Sequence, residues 1–78
     1  MKIVKRDILL DKLTRIKDFV NLASKYNCDV QIQCGYNAVD GKSILGILCL
    51  GLYKPVTVIA QGDDAPEFAK DLENFALH

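Results

Sequence analysis

Few side chains in this 78-residue sequence could carry out covalent chemistry: three cysteines, one histidine at the last position, and a serine after a Gly-Lys pair. Cys28 and Cys34 lie six residues apart, and Cys49 lies in an apolar stretch. A thiol carrier or a zinc site would need activating cations or further ligands, and neither is evident beside these cysteines. We therefore expect three small core residues, no metal site and no cofactor. His78 is terminal and isolated, so we assign it no catalytic role.

The overall composition argues against a nucleic-acid-binding, membrane-spanning or secreted protein. Ten basic and ten acidic side chains cancel, whereas nucleic acids and anionic membranes both require a basic face on the protein. No stretch approaches the roughly 18 apolar residues of a membrane span, and charges precede any long apolar run, which argues against a signal peptide. The odd number of cysteines without Cys-x-x-Cys spacing is typical of reduced thiols in the cytoplasm. We expect one cytoplasmic domain spanning residues 1–78.

The first third of the chain predicts a short strand followed by a long helix. Residues 1–6 can form a strand through Ile3 and Val4. From Asp7 to Tyr26 the apolar residues recur at spacings of three and four, which is typical of a helix with one buried stripe. Asp7 or Asp11 could cap its start. The predicted stripe consists of Leu9, Leu13, Ile16, Val20 and Ala23.

The rest of the chain alternates between strand and helix signals. Residues 28–34 have a period of two, and Gly35-Tyr36 favours a tight turn into a returning strand at residues 37–40. Ser43 is a natural N-cap for a short helix that Gly51 can end. A β-branched run follows Pro55, and a final helix begins at Asp64, with Glu67 at capping-box spacing and Pro66 in the first turn. One sheet covered on one face by helices buries these stripes economically.

Three segments together resemble HPr, the histidine phosphocarrier family of the bacterial sugar phosphotransferase system. Residues 41–51, Gly-Lys-Ser-Ile-Leu-Gly-Ile-Leu-Cys-Leu-Gly, resemble the family's segment around its regulatory serine. Ala23-Ser24-Lys25-Tyr26 and Gly62-Asp63-Asp64 resemble the end of its first helix and the start of its last. The resemblance covers roughly residues 23–76. It implies an α+β open-faced sandwich of order β-α-β-β-α-β-α, with three helices on one face of a four-stranded antiparallel sheet.

The resemblance fails where the family carries its phosphate. HPr proteins phosphorylate a histidine within Gly-x-His-Ala-Arg-Pro, whereas residues 1–77 of this chain contain no histidine. Ungapped counting places Lys12 at the histidine, Thr14 at the arginine and Arg15 at the proline. Neutral imidazole accepts phosphate near pH 7, whereas lysine is a cation there and is a poor nucleophile unless desolvated. We expect Lys12 to be inert. Because no glycine or proline interrupts residues 1–23, we also expect residues 8–12 to be helical instead of forming the family's active-site loop.

The resemblance also marks candidate sites on the short second helix. The serine that matches Ser43 is phosphorylated by an ATP-dependent kinase in Gram-positive relatives, so Ser43 is a candidate regulatory site; capping alone would also explain it. Side chains matching Leu45 and Leu48 are partly exposed in the family and dock on partner proteins, and we include Ile44 among the partner-binding candidates. Not all apolar residues of so short a helix can face the core, and exposed apolar surface often marks a binding site. Dimerisation or deeper burial would also account for them.

These observations lead to one main hypothesis and two alternatives. The main hypothesis is a non-enzymatic HPr-like domain that has lost phosphocarrier activity and regulates by binding a protein, either a phosphotransferase-system component or a transcription regulator. One alternative is a phosphotransfer protein that uses an acceptor other than histidine. Another is a module of the same topology that binds a small molecule or a nucleic acid, since fold alone does not fix function; the balanced charge disfavours nucleic acid.

Overall fold

The structure, a computed structural model, describes residues 2–51 and 54–75. Within these ranges the chain forms four strands, three α-helices and a final 3₁₀ turn. In chain order these are β1 (Ile3–Leu9), α1 (Leu13–Ser24), β2 (Asp29–Cys34), β3 (Asn37–Asp40), α2 (Ile44–Cys49), β4 (Pro55–Gln61), α3 (Ala65–Asp71) and the 3₁₀ turn (Leu72–Phe75). None of the described helices is both long and apolar enough to cross a membrane.

The four strands form one antiparallel sheet in the order β1-β4-β2-β3. Alternate residues of the central strands point into the core: Val56, Val58 and Ala60 of β4, and Val30 and Ile32 of β2, are buried. The residues between them, such as Gln31 and Gln33, are exposed on the other face. This alternation leaves one face for the helices and one for solvent, so the predicted open-faced sandwich is confirmed.

Aromatic packing holds the helices on the buried face. Phe19 of α1 is fully buried between Phe68 of α3 and Phe75 of the 3₁₀ turn, with edge-to-face ring contacts at centroid distances of 6.1 and 6.0 Å. Such pairs contribute about 0.5–1.5 kcal/mol beyond the burial of their area. The C-terminal elements are thereby fastened to the first helix.

The predicted hairpin between β2 and β3 is confirmed. Cys34 pairs with Asn37, so the loop consists of the two residues Gly35 and Tyr36. Gly35 adopts a φ of +62°, which a residue without a Cβ reaches at little cost. Gly51, just beyond α2, likewise has a φ of +91°, as expected of a glycine that ends a helix.

The prediction for residues 7–12 is wrong. Strand β1 continues to Leu9, and α1 begins only at Leu13, with Lys12 as its N-cap in an extended conformation. Neither Asp7 nor Asp11 caps the helix; Asp7 lies in β1 opposite Thr57 of β4 and accepts a hydrogen bond of 2.8 Å from its hydroxyl. The register of β1 against β4 therefore decides where the strand ends. The spacing of Leu9 and Leu13, which suggested a helix, joins two different elements.

The buried stripe of α1 also differs from the prediction. Ile16, Phe19 and Ala23 are buried, whereas Leu13 is 46% exposed at the first helical position. A residue in the first turn has no preceding turn to pack against, so the helical period alone does not bury it.

The side chain of Asp64 joins two loops, and the prediction that it caps α3 is wrong. Its Oδ2 accepts a hydrogen bond of 2.7 Å from the backbone amide of Asn27, whereas the N-cap makes no side-chain hydrogen bond to its own helix. This amide holds the pKa of Asp64 below its ordinary value, although partial burial acts in the opposite direction. The carboxylate thus links the β4–α3 loop to the α1–β2 loop in its ionised form.

We expect this link to make part of the stability dependent on acid pH. Because the pKa of Asp64 is lower in the folded chain, its contribution is present above the unfolded-state pKa of about 4 and is lost as the pH falls through the folded-state value. The free energy of unfolding of the wild type should fall as the pH is lowered from about 7 to about 2, and Asp64→Asn should make this fall smaller. Urea unfolding at a series of pH values measures this. Asp63→Asn, a change at the exposed neighbour, should keep the wild-type pH dependence; an equal reduction there would contradict the assignment.

Candidate functional site

The loop before α2 is positioned by close packing on β2. The Gly41 amide donates a hydrogen bond of 2.8 Å to the Val30 carbonyl. A Cβ added to Gly41 would lie 2.4 Å from Cγ1 of Val30, so only glycine allows this approach. The Ser43 amide in turn donates to the Asp40 carbonyl at 3.1 Å. Ser43 is thereby fixed at the point where β3 has ended and α2 begins.

Ser43 caps α2, as predicted. Its backbone is extended, with φ −109° and ψ 110°, and its Oγ accepts a hydrogen bond of 3.2 Å from the Gly46 amide. A Cβ on Gly46 would come within 3.3 Å of Cβ of Val39, which shows how closely α2 lies against β3. The half-buried hydroxyl of Ser43 therefore has a structural role whether or not it is modified.

Helix α2 presents apolar side chains on more than one face. Ile47 is buried and Ile44 is half-buried against the core, whereas Leu45 is 72% exposed and Leu48 is 37% exposed. The predicted exposure of Leu45 and Leu48 is confirmed. Cys49 is exposed as well, so the prediction that it is a core residue is wrong. With Leu45 and Leu48 it forms a surface that we call the α2 face.

The other two cysteines fit the prediction better. Cys28 is buried and Cys34 is half-buried against the core. Burial raises the pKa of the Cys28 thiol, and the neighbouring Asp64 carboxylate acts in the same direction. A thiol in such a position is a poor nucleophile. In residues 2–51 and 54–75, no group of three or more His, Cys, Asp or Glu side chains could hold a metal ion.

Lys12 lies at the start of α1, exposed to solvent. Its side chain makes no hydrogen bond or ion pair with the described part of the chain. Thr14, one residue into the helix, is exposed, as is Leu13 between them. Leu13 is an exposed apolar residue that the sequence analysis had placed in the core. Its exposure follows from the observed start of α1 at Leu13, later than the helix start near Asp7 that the sequence predicted.

Arg15 in the first turn of α1 holds the loop before the helix in place. Its Nε donates a hydrogen bond of 3.1 Å to the Leu9 carbonyl and lies 3.5 Å from a carboxylate oxygen of Asp11. Its guanidinium carbon lies 5.1 Å from the centre of the Phe75 ring. The cation is thus held by structural contacts, one to the end of β1 at Leu9 and one to Asp11 within the loop of residues 10–12.

Comparison with known proteins shows which family this chain belongs to. A family model for PTS-HPr, described as the PTS HPr component phosphorylation site, matches residues 15–77. The chain therefore belongs to the HPr family, the phosphocarrier family of the phosphotransferase system, which its helix-covered antiparallel sheet also indicates. The match begins at Arg15, so Lys12 and Thr14 lie outside it. His78, the only histidine, lies outside both the matched and the described residues.

Solved structures support this assignment over nearly the whole chain. An HPr-C-His protein of Thermoanaerobacter tengcongensis is 32% identical, with 95% of this chain and 89% of that chain covered and a TM-score of 0.75. The phosphocarrier protein HPr of Bacillus anthracis str. Ames is 25% identical, with 99% and 100% covered and a TM-score of 0.77. Crh, the catabolite repression containing protein of Bacillus subtilis, is 26% identical, with 91% and 88% covered and a TM-score of 0.67. The Crh crystal structure is an intertwined dimer with a swapped domain.

The capping contact of Ser43 leads to a stability prediction. Ser43→Ala removes the acceptor for the Gly46 amide and should lower the free energy of unfolding by about 1 kcal/mol. Ser43→Asp should retain most of the wild-type stability, because a carboxylate also accepts from first-turn amides and its charge is favourable there. Urea unfolding of the three proteins measures both effects. Equal destabilisation by alanine and aspartate would show that the hydroxyl does not act as a cap.

Proposed function

We propose that this chain is an HPr-family protein that no longer carries phosphate and instead regulates by binding another protein through the α2 face. The observation that carries the proposal is the exposure of Leu45 and Leu48 on a helix whose start is fixed by Ser43. Exposed apolar side chains on a rigid element are the usual centre of a protein interface. The partner is a phosphotransferase-system component or a transcription regulator, met in the cytoplasm.

The composition of the family's phosphorylation region supports the loss of phosphotransfer. A phosphocarrier must accept and return its phosphoryl group at similar free energy, which imidazole does near neutral pH. Residues 1–77 contain no imidazole. Lys12, which ungapped counting assigns to the histidine position, is exposed at the start of α1. A lysine ammonium has no lone pair for attack on phosphorus. Thr14 likewise cannot supply the positive charge of the family's arginine.

Phosphorylation of Ser43 is the second part of the proposal. A phosphate adds nearly two negative charges and three acceptor oxygens beside Leu45 on the α2 face. It would therefore change the partner preference of that face without requiring a change of fold. The likeness to Crh, a protein of catabolite repression by its description, favours a regulatory role of this kind.

The first experiment tests the loss of phosphotransfer. Incubation with phosphoenolpyruvate and the general phosphotransferase enzyme should leave the intact mass of this chain unchanged, because no acceptor imidazole is present. A histidine-containing HPr in the same reaction is the positive control. An acid-labile gain of one phosphate would overturn the proposal and favour an unusual acceptor.

The second experiment tests the α2 face. Leu45→Glu and Leu48→Glu should each weaken binding to the general phosphotransferase enzyme, or to the repressor that an HPr serves, by about tenfold or more, since a charge replaces an apolar contact. Leu45→Glu should leave unfolding by urea within about 0.5 kcal/mol of wild type, because the side chain is already in solvent. Titration calorimetry measures the affinity.

Ile3→Glu provides the matched control for that experiment. Ile3 is 59% exposed but lies on β1, on the face of the sheet that the helices leave open. The same chemical change there should leave the affinity at the wild-type value. Equal loss in all three variants, or no loss in either α2 variant, would show that the α2 face does not bind the partner.

A further inference from the structure

Three parts of the fold meet beside the last turn of α1, at a cluster that we call the Tyr26 junction: Tyr26, Asn27, Lys42, Asp64 and Asp71. The Tyr26 hydroxyl donates a hydrogen bond to Asp71 at the end of α3, and the Asn27 amide donates to Asp64 at the start of α3. The Tyr26 ring also packs on Phe68 with centroids 5.4 Å apart. The junction therefore fastens the end of α1 to both ends of α3.

Lys42 connects this junction to the segment that carries Ser43. Its Nζ donates a part-buried hydrogen bond of 2.8 Å to the Tyr26 carbonyl, sixteen residues earlier in the chain. Its backbone amide donates to Oδ1 of Asp40 at 2.9 Å, which fixes the main chain from which the side chain extends. The ammonium of the residue before Ser43 thus donates to a neutral acceptor just beyond the end of α1.

We propose that Lys42 is a switch within the chain: a phosphate on Ser43 draws the ammonium from the Tyr26 carbonyl and loosens the Tyr26 junction. The inference rests on the proposed modification of Ser43. In that step Ser43 Oγ forms a bond to the γ-phosphorus of a nucleoside triphosphate. The bond from that phosphorus to the β–γ bridging oxygen breaks, and the nucleoside diphosphate leaves. The hydroxyl proton passes to solvent.

Two electrostatic effects favour the exchange of partners. A hydrogen bond between an ammonium and a phosphate is charge-assisted on both sides, whereas the bond to the Tyr26 carbonyl has only one charged member. The new charge also repels the Asp40 carboxylate, which holds the Lys42 backbone by accepting its amide. Both effects act on Lys42 and leave the Ser43 cap of α2 able to accept from the Gly46 amide.

The expected consequence is local opening at the end of α1. Without the ammonium, the Tyr26 carbonyl loses its side-chain partner, and the amides on either side become easier to expose. The Tyr26 amide donates to the Ala23 carbonyl at 3.2 Å, and the Asn27 amide donates to Asp64. The opening of these two amides therefore reports the state of the junction directly.

Hydrogen exchange measured by NMR tests the switch. Phosphoserine is placed at position 43 of the full chain by peptide ligation, so that the test needs no kinase. Protection of the Tyr26 and Asn27 amides should fall by about tenfold, as expected when a hydrogen bond to a charged group is lost from a local opening equilibrium. The amide of Val58, in a central strand, should keep its protection.

Two variants at position 42 identify the cause. Lys42→Met keeps the apolar stem without the ammonium. The Tyr26 and Asn27 amides of this variant should therefore be poorly protected before phosphorylation, and phosphoserine should lower their protection no further. Lys42→Arg keeps the cation and should retain the response. Unchanged protection in the chain with native Lys42, or an equal fall in the Lys42→Met chain, would overturn the switch. These outcomes are independent of the binding experiments, so a failure of the α2 face to bind would count against the proposed function alone.

Discussion

The burial of Phe19 on one face of the sheet is the constraint on which the rest of the structure depends. This side chain is fully buried and touches two rings from the C-terminal elements, so α1, α3 and the 3₁₀ turn occupy the same face. Little space on that face remains for α2, which packs at its margin against β3 and α1. A short helix there can bury only one of its sides. Its remaining apolar residues, Leu45 and Leu48, are therefore exposed.

The local elements were predictable from the sequence wherever neighbouring residues decide the structure. The Gly35-Tyr36 turn, the Ser43 cap and the left-handed Gly51 each depend on one or two side chains and their own backbone. The exposure of part of α2 followed from counting apolar residues on a short helix. The family resemblance supplied the topology, because the β1-β4-β2-β3 order depends on pairings between distant strands.

Two of the incorrect predictions, the helix over residues 7–12 and the Asp64 cap, share one physical cause, since each depends on a contact between distant parts of the chain. Strand β1 extends to Leu9 because its residues pair with β4, about fifty positions later, and no local pattern reveals that register. Asp64 bonds the Asn27 amide and not its own helix. The hydrogen bond from Lys42 to the Tyr26 carbonyl was not predicted either, although Lys42 directly precedes the candidate site Ser43. The exposed face of α2 could thus be predicted from the sequence, while the long-range contacts around its start could not.

We propose that this chain retains the docking surface of an HPr protein without the group that accepts phosphate. A competition measurement tests it most directly: the rate at which the general phosphotransferase enzyme phosphorylates a histidine-containing HPr, followed with increasing amounts of this chain. We expect the wild-type chain to slow the transfer while its own mass stays constant, and the Leu48→Glu variant to slow it far less. A transfer rate that does not respond to the wild-type chain, or phosphate found on the chain itself, would contradict the claim.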